Sequence, residues 1–254
     1  MLIAAAVCPC PPLLVPEVAA GAAPELDGLR AACAEAVRAL AAAGPERLIV
    51  VGPAERAGRG PHAQGTAGSF RGFGVELDVR LAAADGVSGG DDAAGQGSAP
   101  SLPPSPSLPL SLAVAAWLLE YAGWDPAVPV EGLGVGEPLA AERCIEVGRE
   151  LAGRAERMAL LVMGDGTACR TLKAPGYLDE RAAPFDAEVA RALAAADTGA
   201  LAALDEELAY ELKAAGRAPL QVLAGAAEGA PLKGELRYDE APYGVGYFVA
   251  SWSS

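Results

Sequence analysis

The chain has 254 residues, 52% of them hydrophobic, which is enough apolar material for one large α/β domain or two small ones. Its 33 acidic and 19 basic residues give a formal net charge of −14, and no basic stretch is present, so binding to nucleic acid or to an anionic membrane surface is not expected. No run of about 18 apolar residues is free of Pro, Gly and charge, and the first residues lack a basic region, so neither a membrane span nor a secretory signal is predicted. Five cysteines without a regular framework predict reduced thiols and a cytoplasmic location.

The first third of the chain predicts a strand, a helix and a second strand. Residues 2–7 form a short apolar run that is typical of a buried strand. Three prolines at 9, 11 and 12 end it, because proline does not stay in a central strand, and Cys8 and Cys10 are therefore expected on a stiff loop at its carboxyl end. Apolar residues three and four apart predict a helix at 25–43, and residues 47–51 predict the second strand.

The next segment is polar and rich in glycine. It contains His62, the only histidine of the chain, for which either a solvated loop position or a role as a ligand is open. Residues 74–80 alternate apolar and polar side chains, which predicts a half-exposed strand at a sheet edge. Residues 82–106 are dominated by small residues and proline, so a flexible low-complexity loop is predicted inside a single domain that spans 1–254.

The remainder again alternates helices and strands. Helices are predicted at 108–121, at 137–154, from an Asp179 cap through Leu193, and at 198–204, 206–215 and 219–227; strands are predicted at 128–133, 158–163, 232–238 and 246–252. The alternation predicts a three-layer α/β/α sandwich with a central mixed, largely parallel sheet, and the last two strands predict a C-terminal β-hairpin. The strand at 158–163 runs directly into a Gly-Asp turn, Gly164-Asp165, where an open α/β sheet normally has its binding site.

Four stretches carry a resemblance to a known family. They are residues 7–17, with Cys-Pro-Cys-Pro-Pro after the first strand; 164–169, Gly-Asp-Gly-Thr-Ala-Cys; 185–219, which begins with Phe-Asp; and 241–247, Ala-Pro-Tyr-Gly-Val-Gly-Tyr. In their order along the chain and in their local sequence, these stretches resemble the class III extradiol ring-cleavage dioxygenases of the catalytic B-subunit-like superfamily, which also includes the Memo proteins. The resemblance covers nearly the whole chain.

The resemblance implies ring cleavage of catecholic aromatics at an Fe(II) ion held by two histidines and one carboxylate, with a further histidine as acid and base. Carried over by position, the first histidine falls on Cys10, the second near Gly52, and the carboxylate on Glu211. The acid-base histidine falls on Ala168 or Cys169. Because the chain has one histidine, one subunit cannot form a two-histidine triad, so the usual ring-cleavage activity is doubtful and enzyme status stays open.

The candidate pocket residues are Cys10, Asp165, Cys169, Glu211 and Tyr243. Each has a simpler alternative, since free cysteines are commonly buried core residues, an aspartate after a strand can bond its own turn, and a helical glutamate is usually a surface charge. Tyr243 can likewise pack the hairpin. Cys169 as a nucleophile lacks a neighbouring histidine base.

The candidate metal ligands are Cys8, Cys10, Cys169 and Glu211, for zinc or copper(I) if the cysteines cluster, since thiolates favour such soft ions. The hypotheses are therefore a dioxygenase-like or divergent metal-dependent enzyme, a non-catalytic descendant that binds a small molecule or a protein, and a cysteine-based soft-metal site. The expected partner is a small aromatic ligand, and a homodimer is a further expectation.

Overall fold

The computed structural model describes residues 1–82 and 107–254; the predicted loop at 82–106 lies, except for Ala82, outside the described residues. The strands in these ranges are β1 (Leu2–Cys8), β2 (Arg47–Pro53), β3 (Gly60–His62), β4 (Ala67–Ser69), β5 (Asp78–Arg80), β6 (Val130–Val135), β7 (Met158–Met163), β8 (Lys233–Glu240) and β9 (Tyr247–Ser253). The helices are α1 (Pro16–Ala19), α2 (Asp27–Ala42), α3 (Leu110–Ala122), α4 (Ala141–Ala152), α5 (Ala182–Ala195), α6 (Thr198–Ala202), α7 (Glu206–Glu211) and α8 (Arg217–Ala226). Within the described ranges no helix has the length and apolar character needed to cross a bilayer.

A central seven-stranded sheet organises the described residues, in the order β3-β6-β2-β7-β1-β9-β8. The four strands β6, β2, β7 and β1 are mutually parallel, whereas β3, β9 and β8 pair antiparallel with their neighbours. The predicted mixed, largely parallel sheet is confirmed, and so is the C-terminal hairpin, which β8 and β9 form.

Helices cover both faces of this sheet, which confirms the three-layer sandwich. One face packs against α2 and α3, and the other packs against α4, α5 and α8. Strand β1 shows the alternation, because Ala4 and Ala6 belong to the first core and Ala5 and Val7 to the second. Every residue of β7 is buried, which explains its unbroken apolar sequence: a central strand covered on both faces has no solvent side.

The expectations for the polar segment after β2 were partly wrong. Only Asp78–Arg80 of the predicted strand at 74–80 is extended, and it pairs with β4 in a separate two-stranded sheet, because Gly74 has a left-handed φ of +83° and ends a 3-10 turn. The edge of the main sheet is β3 instead. His62 ends β3 and is buried rather than solvated, opposite Gly132, which leaves room for its side chain.

Two helix starts also differ from the prediction. The helix expected from residue 137 begins at Ala141, because Leu139 N–H donates to Gly136 O in a turn that keeps Glu137 in the loop after β6. Helix α5 begins at Ala182 with Arg181 at its N-cap, so Asp179 is not the cap. The Asp179 side chain accepts from the backbone N–H and the guanidinium of Arg181 instead.

Candidate functional site at the carboxyl edge of the sheet

The parallel strands bring three separate loops to one edge of the sheet. Strands β1, β6 and β7 end there, and the residues that follow within two positions include Cys10, Glu137 and Asp165. Strand β9 runs the opposite way, with Val7 opposite Ala250, so its first residue, Tyr247, lies at the same edge. An edge of this kind is where open α/β sheets place ligand sites.

Cys10 and Asp165 are in direct contact. The backbone N–H of Cys10 donates to Oδ1 of Asp165 over 2.8 Å, and among the described residues it is the one donor to this carboxyl. Part of the Asp165 side chain still reaches solvent, but the surrounding protein removes most of its hydration, and this burial raises its pKa from 3.8 to about 6. The Cys10 N–H opposes the shift, because it stabilises the ionised form. Asp165 can therefore exchange a proton just below neutral pH.

The Gly-Asp turn is shaped by a close backbone approach. A Cβ on Gly164 would lie 2.6 Å from Cα of Gly216, and a Cβ on Gly216 would lie 2.8 Å from the carbonyl oxygen of Asp165. Both distances are shorter than side chains tolerate, so glycine is required on each side. The turn before α8 therefore packs directly on the turn that presents Asp165.

Asp186 of α5 fixes the rest of the loop after β7. Its carboxyl is 1% exposed and accepts from the Thr167 N–H, the Thr167 hydroxyl and Nη1 of Arg170, each over 2.9 Å. Burial raises the pKa of Asp186, and these three donors act against that rise. The guanidinium of Arg170 is thus bound to Asp186.

Cys169 belongs to the same loop, and its side chain packs in the protein interior. It is 2% exposed, contacts Ala182 and Leu212 in a small apolar cluster, and has its Sγ 3.4 Å from the Leu212 carbonyl oxygen. Burial raises its pKa, which lowers the thiolate population, the opposite of what a cysteine nucleophile needs.

Glu211 and Tyr243 have other partners than Asp165. Glu211 is exposed at the end of α7, where it accepts from Nη1 of Arg181 over 2.6 Å. The Tyr243 hydroxyl donates to Oε2 of Glu25, which is also exposed, over 3.0 Å. Of the five predicted pocket residues, the structure brings Cys10 and Asp165 together and engages the polar atoms of Glu211 and Tyr243 at the surface.

Glu137 is a functional candidate that the sequence prediction missed, since it was assigned to a helix. Burial raises the pKa of Glu137 from 4.5 to about 7. Two groups act in the opposite direction: the Ala218 N–H, which donates to Glu137 Oε2 over 3.3 Å, and the charge of Arg217, whose Nε lies 3.8 Å from the same oxygen. Arg217 is 4% exposed, and its Nε and Glu137 Oε1 have no hydrogen-bond partner among the described residues. The signal available in the sequence was the Gly134-Val135-Gly136 end of a strand followed by an acid, the same pattern as at Asp165.

Tyr247 is the second residue that the pocket prediction did not include. Its side chain is buried at the start of β9, and burial, followed by the negative charge of the nearby Asp165, raises its pKa. The hydroxyl therefore stays protonated and can donate a hydrogen bond at any physiological pH.

The described residues do not form a metal centre of the expected kinds. No group of three or more His, Cys, Asp or Glu side chains within 1–82 and 107–254 is arranged to hold an ion. The thiol beside Cys8 is Cys33 of α2, whereas Cys169 packs against Leu212. Three strands separate β3 from β1, a span of about 19 Å at the usual strand spacing, so His62 and Cys10 cannot share an ion. The Fe(II) triad of the resembling family therefore does not fit this chain.

Comparison with known proteins gives the fold and no function. No family model matches the chain, and no curated protein is similar enough to count as a relative. Among solved structures, the chain is similar to the crystal structure of the uncharacterized protein JW3007 from Escherichia coli K12, with 14% sequence identity and a TM-score of 0.53. The match covers 99% of this chain and 100% of that chain, so the two share their fold over the full length.

Proposed function

We propose that this protein is a small-molecule-binding descendant of the class III extradiol dioxygenase fold that works without Fe(II) ring cleavage. The observation that carries the proposal is the contact between Cys10 and Asp165. By the resemblance, Cys10 stands where the family has a metal-binding histidine, and Asp165 stands where the family has the aspartate of its Gly-Asp motif. The loops after β1 and β7 meet at the carboxyl edge, while the one histidine of the chain is His62 on β3.

The chemistry at this edge suits a small aromatic ligand that carries a hydroxyl group. With Oδ1 bound to the Cys10 N–H, Asp165 has its second oxygen free of donors from the described residues, and a carboxylate forms strong hydrogen bonds with hydroxyl donors. Tyr247 offers a protonated hydroxyl and an apolar ring near the same carboxyl. Reduced, buried cysteines are in keeping with a cytoplasmic location.

Ligand-observed NMR with catechol and 4-methylcatechol tests the proposal. Binding should be seen with the metal-free protein and should weaken below pH 6, because protonation of Asp165 removes the charged acceptor. Asp165→Asn should weaken binding by about tenfold, since a charged hydrogen bond becomes a neutral one. The matched control is Asp239→Asn, an exposed aspartate on β8, which should bind like the parent protein.

Two outcomes decide against the proposal. One is equal binding by Asp165→Asn and the parent protein, which would place the ligand elsewhere. The other is O₂ uptake with catechol after anaerobic loading with Fe(II) at one ion per chain. That result would support the alternative function, a divergent metal-dependent dioxygenase.

A further inference from the structure

A groove on the helical face of the protein lies between α5 and the α6–α7 segment, with a cavity volume of about 600 Å³. The lining of this α5–α7 groove shares no residue with the carboxyl-edge site formed by Cys10, Glu137, Asp165 and Tyr247. Its apolar lining consists of Pro184, Phe185, Ala200, Ala203, Leu204 and Leu208. Its polar lining consists of Glu180, Arg181, Glu188 and Asp205.

One exposed apolar side chain continues the stretch that lines one side of the groove: Leu178, two residues before the lining residue Glu180, is 50% exposed. Arg181 of this stretch forms an ion pair with Glu211 at the end of α7, so the two walls adjoin there. An apolar groove with a polar rim is typical of a protein interaction site.

The segment that forms the groove is strongly acidic. Residues 179–211 contain nine acids and two bases, a formal charge of −7 and thus half of the chain's −14. Both bases are already paired, Arg181 with Asp179 and Glu211, and Arg191 with Glu188 and Asp197. Of the carboxylates that line the groove, Glu180 and Asp205 have no ion-pair partner among the described residues, so a partner that lies in the groove meets these two negative charges.

We propose that the α5–α7 groove binds an amphipathic helix of a partner protein, with an apolar face toward Phe185 and Leu208 and Lys or Arg on its flanks. Helix-in-groove docking uses apolar side chains one turn apart, and the apolar lining that α5 and the α6–α7 segment contribute provides a groove between helices. Charge complementarity selects the basic flanks. A second copy of this chain is a poorer occupant, because it would bring two acidic rims together.

The test uses the full-length protein and a fluorescent model helix of Leu and Lys, about 18 residues long, which gives about five helical turns. Fluorescence anisotropy should show binding that weakens as salt is added. The same helix with Glu in place of Lys should bind at least about tenfold more weakly, because like charges oppose docking.

Two variants with the same added charge locate the binding surface. Ala203→Arg fills the groove from an exposed position, and Ala194→Arg places the same side chain on α5 at an exposed position outside the lining. Ala203→Arg should weaken binding of the Leu/Lys helix by at least about tenfold, as expected for loss of a central apolar contact. Ala194→Arg should change it by less than about twofold, since it alters only the net charge. Circular dichroism verifies folding, and Pro184→Arg, exposed in the first turn of α5, replaces Ala203→Arg if that variant unfolds.

Three results would overturn the proposal. Equal weakening by Ala203→Arg and Ala194→Arg would mean that the peptide is attracted by net charge alone. Equal binding of the Leu/Lys and Leu/Glu helices would show that the acidic rim does not favour a partner with basic flanks. A stable dimer by light scattering that Ala203→Arg dissociates would show that a second copy fills the groove.

Discussion

The backbone N–H of Cys10 and the carboxyl of Asp165 join two loops that are 155 residues apart in the chain. Because the donor is the main chain, the contact does not depend on the side chain at position 10, and the flanking Pro9 and Pro11 restrict the loop that presents it. The geometry of this contact is therefore independent of which side chain stands at position 10.

Asp165→Asn should stabilise the protein at pH 7.5. A carboxyl whose pKa rises from 3.8 to about 6 on folding costs about 3 kcal/mol of folding free energy once it is ionised in both states. The asparagine keeps an acceptor for the Cys10 N–H and removes this cost. Urea unfolding should give a gain in the free energy of unfolding of up to about 3 kcal/mol at pH 7.5.

The pH dependence of this gain tests its cause. The folded state holds its proton between pH 4 and pH 6 while the unfolded state has released it, so the Asp165 contribution to stability is lost as pH rises through that window. The difference between Asp165→Asn and the parent should therefore be small near pH 4 and full above about pH 6.5. A difference that is constant with pH would contradict the raised pKa.

Asp186→Ala should destabilise the protein by about 2–4 kcal/mol. The substitution leaves the buried Thr167 N–H without an acceptor and the Arg170 guanidinium without its counter-charge. Thr167→Val removes only the hydroxyl contact to Asp186 and should cost about 1 kcal/mol. Equal effects of the two variants in urea unfolding would show that Asp186 does not fix the loop through three bonds.

The elements with clear periodicity were predictable from the sequence, and those set by tertiary contacts were not. Residues 158–163 are apolar without a break and form β7 over the predicted bounds, because a strand between two helical layers has no polar face. His62 was misjudged because its burial depends on Gly132 of a strand 70 residues away. The residues next to His62 in the sequence do not indicate that it pairs with Gly132.

The candidate site was predictable where it follows a strand end directly, as Asp165 does. Cys169 and Glu211 were chosen by position in a resembling motif, but the Cys169 thiol faces the Leu212 carbonyl and Glu211 pairs with Arg181. Glu137 was missed because acids near a helix start are common, and only the turn at Gly136 separates it from α4. Which side chains face each other across loops depends on packing that a single sequence does not display.

Gly164→Ala and Gly28→Ala should have opposite effects on stability. A Cβ at Gly164 would lie 2.6 Å from Cα of Gly216, so the alanine must displace one of two backbones, which costs about 1–3 kcal/mol. Gly28 lies in α2 with no atom within 4 Å of an added Cβ, and alanine there should add about 0.5–1 kcal/mol through its helix propensity. Thermal unfolding measures both, and a neutral Gly164→Ala would argue against the close approach at the Gly-Asp turn.

The five thiols should be protected in the native protein. All five cysteines are buried, and burial raises the pKa of the Cys10 and Cys169 thiols, so both access and thiolate population are low at pH 8. Titration with Ellman's reagent should show slow reaction of the native chain and fast reaction of five thiols in urea. Ala187→Cys, exposed on α5, supplies a control thiol that should react at least about a hundredfold faster than the native ones. One native thiol that reacts as fast as this control would restore a nucleophilic role, and replacing Cys10 and Cys169 in turn by serine would show which of them carries it.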